Sequence, residues 1–345
     1  MSTTEQDLAS APWGSIFTDH IVTARYEPEN GWDELTLEAY QPLQLEPSSA
    51  VLHYGQAIFE GLKAYHQPDN SVATFRPEQN ARRFARSAHR LAMAELPEKH
   101  FLDSLSMLVK ADRERVPTRP GESLYFRPLE IANDKGLLTN PSKTFLYVLM
   151  ASPVKDYFAG GVHPVRVWIS TEYSRAMVGG TGEAKCAGNY AAAMLAQKHG
   201  FEKGCDQVVW LDSVERRYVE EMGGMNLFFI FENRLVTPKL TGTLLPGVTR
   251  DSILTLGSDL GLEVEERLFS VDEWEQSAAD GSLKEVFACG TAAIITPVGE
   301  VVHEKASYTI ADGNPGPLTM KLRETLLNIQ QGTVTDSHDW MHRLT

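Results

Sequence analysis

Cysteine is scarce in this chain, with three residues in 345: Cys186, Cys205 and Cys289. The number is odd, and no CxxC or Cys/His spacing suits zinc, which argues against a disulfide framework and a metal site. A reducing compartment fits this usage. Basic residues are also short. The 32 Lys and Arg against 46 Asp and Glu leave a formal charge of −14. The arginines stand singly or in pairs among acids, so no basic stripe is available to neutralise phosphates, and nucleic acid is set aside as a partner. The acidity serves solubility and says little about fold. Long apolar runs are missing too. The longest, Phe145 to Ala151 (FLYVLMA), is too short to span a bilayer. Met1 to Ser15 has no basic region followed by an apolar one, so no secretory signal is visible. A cytoplasmic location without membrane association is expected. There is no internal repeat and no low-complexity tract.

What is present is ordinary globular composition, 42% hydrophobic and 23% charged. At roughly 100–200 residues per domain the length suggests two domains, large enough to need no staple. Leu35–Tyr40 alternates like a strand, and Ser123–Ile131 and Thr144–Ser152 also read as strands. Pro77–Leu96 reads as a helix, with Phe84, Ala88 and Leu91 near helical spacing and Pro97 as its stop. Another helix begins over Phe101–Val109. Pro153 to Pro164 (PVKDYFAGGVHP) is rich in Pro and Gly and reads as a linker. The expected division is a small α/β domain over 1–153, a linker over 154–164 and a larger domain over 165–345. In the second half, strands are predicted at Val165–Ser170, Gln207–Asp212, Leu262–Leu268 and Glu285–Cys289. Asn226–Phe231 and Arg234–Pro238 form a hairpin around Glu232-Asn233. Helices are predicted at Ala191–His199, with Gly200 placed to end it, at Val248–Leu260 and at Leu318–Gln330. The fold class is α+β or mixed α/β.

Several segments carry possible chemistry. GGTGEAKCAGNY, Gly179 to Tyr190, fails the Walker pattern, because Lys185 is followed by Cys186 rather than Ser or Thr. It fails the dinucleotide pattern as well, since Lys185 stands where the third glycine should be. One lysine remains among small residues, where a flat ring could lie close. A lysine amine can form a Schiff base; a surface-loop lysine would read the same. VEEMGGMNLFFI places two glutamates before an apolar strand. A carboxylate near a pyridine nitrogen makes that ring a better electron sink, and Glu221 is the candidate, with Glu220 facing the other way in an extended segment. A strand-end charge is the plainer alternative.

In LLPGVTRDSIL the turn at Pro246-Gly247 leads into a helix. Gly247, Val248 and Thr249 would offer first-turn donors to an anion, as many helix starts could. Gly290-Thr291-Ala292 in ACGTAAIITP is either a second such set or a tight turn. In HYGQAIFEGLKAY, the aromatics Tyr54, Phe59 and Tyr65 are core candidates. LYFRP would put Tyr125 and Arg127 on one strand face and Phe126 on the other. An arginine fork there suits a carboxylate. Arg83 and Arg86 in ARRFARSAHR could reach a phosphate or simply face solvent.

Taken in order, HYGQAIFEGLKAY, YFRP, EAKCAGNYAAAMLAQ, EEMGGMN, LLPGVTR and CGTAA closely resemble the branched-chain amino acid aminotransferases, fold-type IV (D-amino acid aminotransferase-like) pyridoxal-phosphate enzymes of two domains. The resemblance runs from about Val22 to Gln330. It implies pyridoxal 5′-phosphate as cofactor, joined to Lys185 as a Schiff base. Tyr190 would bond the ring hydroxyl, Glu221 would meet the pyridine nitrogen, and Leu245 would pack on the ring. Arg83, Gly247, Val248, Thr249, Gly290 and Thr291 would hold the phosphate. Tyr125 and the Ala292 N–H would take the substrate α-carboxylate, and Arg127 the distal carboxylate of glutamate or 2-oxoglutarate. Tyr54, Phe59 and Tyr125 would line the pocket for Leu, Ile and Val. Leu138 would reach a neighbouring subunit, which implies a homodimer. The resemblance carries no metal.

Two departures stand out. Mammalian relatives carry a CxxC pair where this chain has Ala293 and Thr296, so no thiol switch is expected. Some relatives have Thr where Gly224 stands. The implied mechanism is ping-pong, with the freed Lys185 amine as proton shuttle. A D-amino acid transaminase, an aminodeoxychorismate lyase and a cofactor-binding regulator are the rival readings. The first-half segments and the retained lysine, glutamate and arginine disfavour them.

Overall fold

A computed structural model describes residues 11–155, 161–304 and 306–345. Five residues of the expected linker, 156–160, and the first ten of the chain lie outside the described residues. Contacts divide the chain into two compact units. The first holds the described residues up to 155, Ala184–Gly188 and Asn328–Thr345. The second holds the described residues from 161 to Glu183 and Asn189–Leu327. The Lys185 pentapeptide thus packs with the first unit, while its flanking sequence belongs to the second.

The first unit contains strands β1 (His20–Glu27), β2 (Gly31–Trp32), β3 (Thr36–Ala39), β4 (Ala57–Phe59), β5 (Leu62–His66), β6 (Val72–Phe75), β7 (Ser123–Ala132) and β8 (Phe145–Val154). Its helices are α1 (Ala50–Tyr54), α2 (Pro77–Arg90) and α3 (Glu98–Ala111). A C-terminal strand, Met341–Arg343, pairs with β6. The sheet runs from that strand through β6, β5, β7, β8 and β1 to β2, with β3 on β1 and β4 on β7. Its spine is the antiparallel pair β7–β8, in register from Ser123↔Val154 to Ala132↔Phe145. Alternation sorts the side chains of this pair. Leu124, Phe126, Tyr147, Leu149 and Ala151 join the core beneath α2 and α3, packed with Phe84, Phe101 and Leu105. Ile131, Leu146 and Val148 form a smaller cluster on the opposite face.

Pro153 is part of β8 rather than of a linker. Helix α2 ends at Arg90, short of the expected Leu96. Ala92 turns left-handed there, at φ 52°, yet Met93 and Leu96 remain buried in the same core. Apolar residues therefore go on entering the core after the helix has ended.

The second unit contains β9 (Val165–Ile169), β10 (Gln207–Leu211), β11 (Val219–Met222), β12 (Met225–Ile230), β13 (Arg234–Pro238), β14 (Glu263–Arg267), β15 (Glu285–Gly290), β16 (Ile294–His303) and β17 (Ala306–Thr309). Its helices are α4 (Ala187–Glu202), α5 (Val248–Asp259) and α6 (Val271–Ala279), with α7 (Pro317–Gln330) running into the first unit at its end. The order is β11-β10-β9-β16-β15-β12-β13-β14, and β11 also pairs with β12, which closes six strands into a ring. Val167, Ile169, Val209, Leu227, Phe229 and Trp274 share its core. Phe229 stacks on Phe269 with ring centroids 3.9 Å apart.

Gly200 does not end α4, which continues to Glu202. A Cβ at Gly200 would sit 2.9 Å from Val208 Cγ2, so close packing accounts for the glycine. Helix α6 is an element that the sequence expectations lack. Ser270 caps it by accepting the Glu273 N–H at 3.1 Å, the S-x-x-E pattern of a capping box.

Candidate active site

In the first unit, Lys185 lies between Ala184 and Cys186, both buried in the core under α2. Small neighbours at these positions have a packing reason. The lysine backbone is pinned on both sides. Its N–H donates to Ser87 Oγ at 3.0 Å, and its carbonyl accepts the Phe59 N–H at 3.0 Å. The Nζ atom stands 5.0 Å from the Phe59 ring centroid, within cation–π range. Arg127 approaches the same ring at 4.9 Å. Arg127 Nη2 donates to the Tyr125 hydroxyl at 3.0 Å.

Strand alternation puts Tyr125 and Arg127 on one face, while Phe126 lies in the core on the other. Gly61 is what makes room for Tyr125: a Cβ there would overlap the phenol. Trp13 meets Tyr125 edge-on at 4.9 Å. It joins Phe17, Tyr125, Arg127 and Met150 around a cavity of about 150 Å³. No sequence motif points to Trp13, which lies far from any recognised segment.

Arg83 is 4% exposed. Its Nε and Nη2 donate to Glu60 Oε1 and Oε2 at 2.7 and 2.8 Å. Asn80 Nδ2 and the Gly61 N–H also donate to Glu60 Oε2, at 2.8 and 3.1 Å. Burial pushes the Glu60 carboxyl toward the neutral acid, but Arg83, with Lys185 and Asn80, outweighs it and holds the pKa below the usual value. Glu60 and Asn80 are positioning groups that single-segment reading misses. Tyr54 and Leu138 stand apart from this cluster. Tyr54 is exposed and donates to the Leu137 carbonyl. Leu138 is 77% exposed.

In the second unit, Tyr190 is in the first turn of α4 and is half-buried. A Cβ on Gly224 would lie 3.5 Å from Tyr190 Cε1, so the departure at Gly224 bears directly on that ring. Gly223 turns with φ 57° between β11 and β12 and sets Glu221 opposite Asn226. Glu221 is 2% exposed. Its Oε1 accepts the Leu245 N–H at 2.7 Å, and its Oε2 is 2.9 Å from Arg175 Nε. Glu220 is buried as well rather than turned to solvent. Burial, together with its neighbour Glu221, raises the Glu220 pKa against the effect of a hydrogen bond from Thr243.

Leu245, Gly247, Val248 and Thr249 lead into α5. Gly247 is its N-cap, with no side-chain cap bond. A Cβ on Gly247 would overlap Asn226 Oδ1, and Asn226 Nδ2 in turn donates to the Leu245 carbonyl at 3.1 Å. The start of a twelve-residue helix is thus left without a capping side chain, as an anion site requires. Gly290 ends β15, and Thr291 and Ala292 make the turn into β16. Ile294 follows at φ 65°, a conformation that strains a β-branched residue by about 1–3 kcal/mol. Among the described residues no group of His, Cys, Asp and Glu could hold a metal ion. No described helix is long and apolar enough to cross a membrane.

Residues 57–301 match the family model described as Amino-transferase class IV. The chain is 56% identical over 345 residues to the branched-chain-amino-acid aminotransferase of Mycolicibacterium smegmatis, covering 99% of this chain and 94% of that protein. It is 53% identical to the protein of the same name from Mycobacterium tuberculosis, with the same coverage. A solved structure of the T.th. branched-chain amino acid aminotransferase with pyridoxamine 5′-phosphate superposes with a TM-score of 0.80 at 28% identity, covering 96% of this chain and all of that one.

Proposed function

The chain belongs to the class IV aminotransferases, and from that footing we propose that it is a branched-chain amino acid aminotransferase using pyridoxal 5′-phosphate. It transfers the amino group of L-leucine, L-isoleucine or L-valine to 2-oxoglutarate. One observation carries this reading: an amine, an apolar ring face and a guanidinium–phenol pair lie together, Lys185 and Arg127 both within 5.0 Å of the Phe59 ring. Such a group suits a substrate that has an amino group, a greasy side chain and a carboxylate.

The donor set fits the cofactor. On the first unit, Lys185 offers the amine for attachment, and the buried Arg83 offers a cation to the phosphate. On the second, Glu221 would face the ring nitrogen, Tyr190 the ring hydroxyl and Leu245 the ring. Gly247, Val248 and Thr249, with Gly290 and Thr291, would bind phosphate through helix-start and turn donors. When bound, the cofactor supplies an aldehyde for the amino group and a protonated ring that takes up the electrons of the broken Cα–H bond.

The chain's own residues do the rest. Lys185 would hold the cofactor, and its amine would be the base that moves the α-proton of the substrate. The pinned backbone of Lys185 fixes where its flexible stem begins and so limits what the amine can reach. Tyr125 and the Ala292 N–H orient the α-carboxylate. Phe59 and Tyr125 shield the side chain from water. Arg127 takes the distal carboxylate of glutamate or 2-oxoglutarate. A hydrophobic pocket separates substrates by only ~1–3 kcal/mol per methylene, so all three branched side chains are accepted. The two half-reactions alternate in ping-pong fashion. The working form is a homodimer, in which the exposed Leu138 reaches the neighbouring subunit.

Glutamate formation from L-leucine and 2-oxoglutarate tests the activity, with D-alanine as control donor. Arg127→Ala should raise KM for 2-oxoglutarate about tenfold more than KM for leucine, the factor expected for one lost charged hydrogen bond. Equal losses for both would remove Arg127 from this role. Activity with D-alanine alone would overturn the substrate class.

A further inference from the structure

The geometry points to Arg175 as a positioning residue that holds Glu221, and the two loops beside it, in the orientation the cofactor ring requires. The inference rests on the proposal that Glu221 faces the ring nitrogen. Arg175 lies in the irregular stretch after β9 and is 8% exposed. A cation so deeply buried needs charge compensation, and Glu221 Oε2 supplies it at 2.9 Å. That contact is an ion pair rather than an aligned hydrogen bond, because the Nε–H does not point along it.

The other end of the guanidinium works on backbone. Nη2 donates to the Thr243 carbonyl at 2.6 Å and to the Gly182 carbonyl at 3.1 Å. Those two loops touch: a Cβ on Gly182 would overlap the Thr243 carbonyl. The loop through Thr243 continues to Leu245, whose N–H binds the other Glu221 oxygen at 2.7 Å. Arg175, Thr243, Leu245 and Glu221 thus form a closed circuit around one carboxylate. Two features of that carboxylate make the cation necessary. It is 2% exposed, and a second buried carboxyl, Glu220, is its chain neighbour. Without Arg175, two adjacent acids would share a water-poor site and lose the cation beside them. Rotation of Glu221, or its protonation, would relieve that conflict, and either would withdraw the negative charge from the ring nitrogen.

The test uses the full-length enzyme, stripped of cofactor and reloaded with pyridoxal 5′-phosphate. Arg175→Gln should weaken cofactor binding by about tenfold to a hundredfold, the range for one lost charge-assisted contact, and should shift the visible absorbance of the loaded protein. Arg175→Lys keeps the charge but not the fork and should recover part of both. Glu221→Gln should give the same spectral shift, and the double variant Arg175→Gln, Glu221→Gln should add nothing to it. A purely structural arginine would lower the melting temperature but leave the spectrum unmoved. A folded Arg175→Gln with native affinity and spectrum, beside an altered Glu221→Gln, would overturn the inference alone. If Gln does not fold, a native spectrum and affinity in Arg175→Met would do the same. An unaltered Glu221→Gln would sink both the inference and the ring-nitrogen role on which it rests.

Discussion

Glu130 should make the first unit lose stability as the pH rises. It lies on β7, on the face that carries Leu124 and Phe126 into the core. It is 0% exposed, and neither carboxyl oxygen has a hydrogen-bond partner among the described residues. Its cross-strand neighbours are Tyr147 on β8 and Ile58 on β4, and the Tyr147 hydroxyl is engaged with Ser104 at 2.8 Å. Burial therefore raises the Glu130 pKa well above the ordinary carboxylate value. Between the unfolded pKa near 4.5 and the raised folded value, the native state keeps a proton that the unfolded chain has released. The native state binds more protons, so unfolding becomes easier with each step upward in pH. Stability that is complete below the unfolded pKa falls by about 1.4 kcal/mol per pH unit until the folded pKa is passed. Within that window each unit of pH is a sizeable part of a domain stability of only about 5–15 kcal/mol.

Glu130→Gln keeps the shape and removes the proton. Hydrogen exchange of the β7 and β8 segments, corrected for intrinsic rates and followed upward from pH 4.5, reads the local opening energy. The wild-type chain should show the slope, and Glu130→Gln should not. Parallel slopes in the two proteins would refute the reasoning.

Glu60 should behave in the opposite sense, because its folded pKa is depressed. Its contribution is present above the unfolded pKa and is lost as the pH falls through the folded value. Glu60→Ala strands Arg83 as a buried cation, which costs about 3–5 kcal/mol. Calorimetry at neutral pH should show the melting temperature lowered by roughly 10 °C, and a change below about 2 °C would contradict the buried pair. Gly61→Ala drives a methyl into the Tyr125 hydroxyl. Relief by displacing the phenol costs about 1–3 kcal/mol and breaks its contact with Arg127. Both kcat/KM values, for leucine and for 2-oxoglutarate, should fall about tenfold or more, and unaltered kinetics would show that Tyr125 is not fixed by this glycine.

The residues proposed to bear reacting groups are legible because their types are unusual in their surroundings. A lysine among Ala and Gly, a glutamate before an apolar strand and an arginine on a strand face each break a local pattern. The β8 strand of the spine is legible for the converse reason, since Phe145 to Ala151 is one unbroken apolar run of strand length. Errors arise where one signal has two causes. Leu91 to Leu96 stays rich in apolar residues although the helix has ended, because a loop can also feed Met93 and Leu96 into the core. Gly200 looks like a helix stop, yet its missing side chain serves contact with Val208.

The groups that set charge and orientation are harder to see, and the reason is physical. Glu60 and Arg83 are 23 residues apart, and Arg175 and Glu221 belong to segments joined only by folding. In the unfolded chain each is an ordinary solvated ion with no partner and no pattern to break. Burial alone turns them into obligate pairs, because an unpaired ion in the interior costs several kcal/mol. Their importance is a property of the dielectric that the fold creates. Glu130 makes the same point from the other side: its chain neighbours Leu129 and Ile131 are apolar, yet only its face of the sheet decides that it must be a neutral acid. Linear reading can propose groups to act on a substrate, while the buried ions that pair with them become visible only after the water around them is gone.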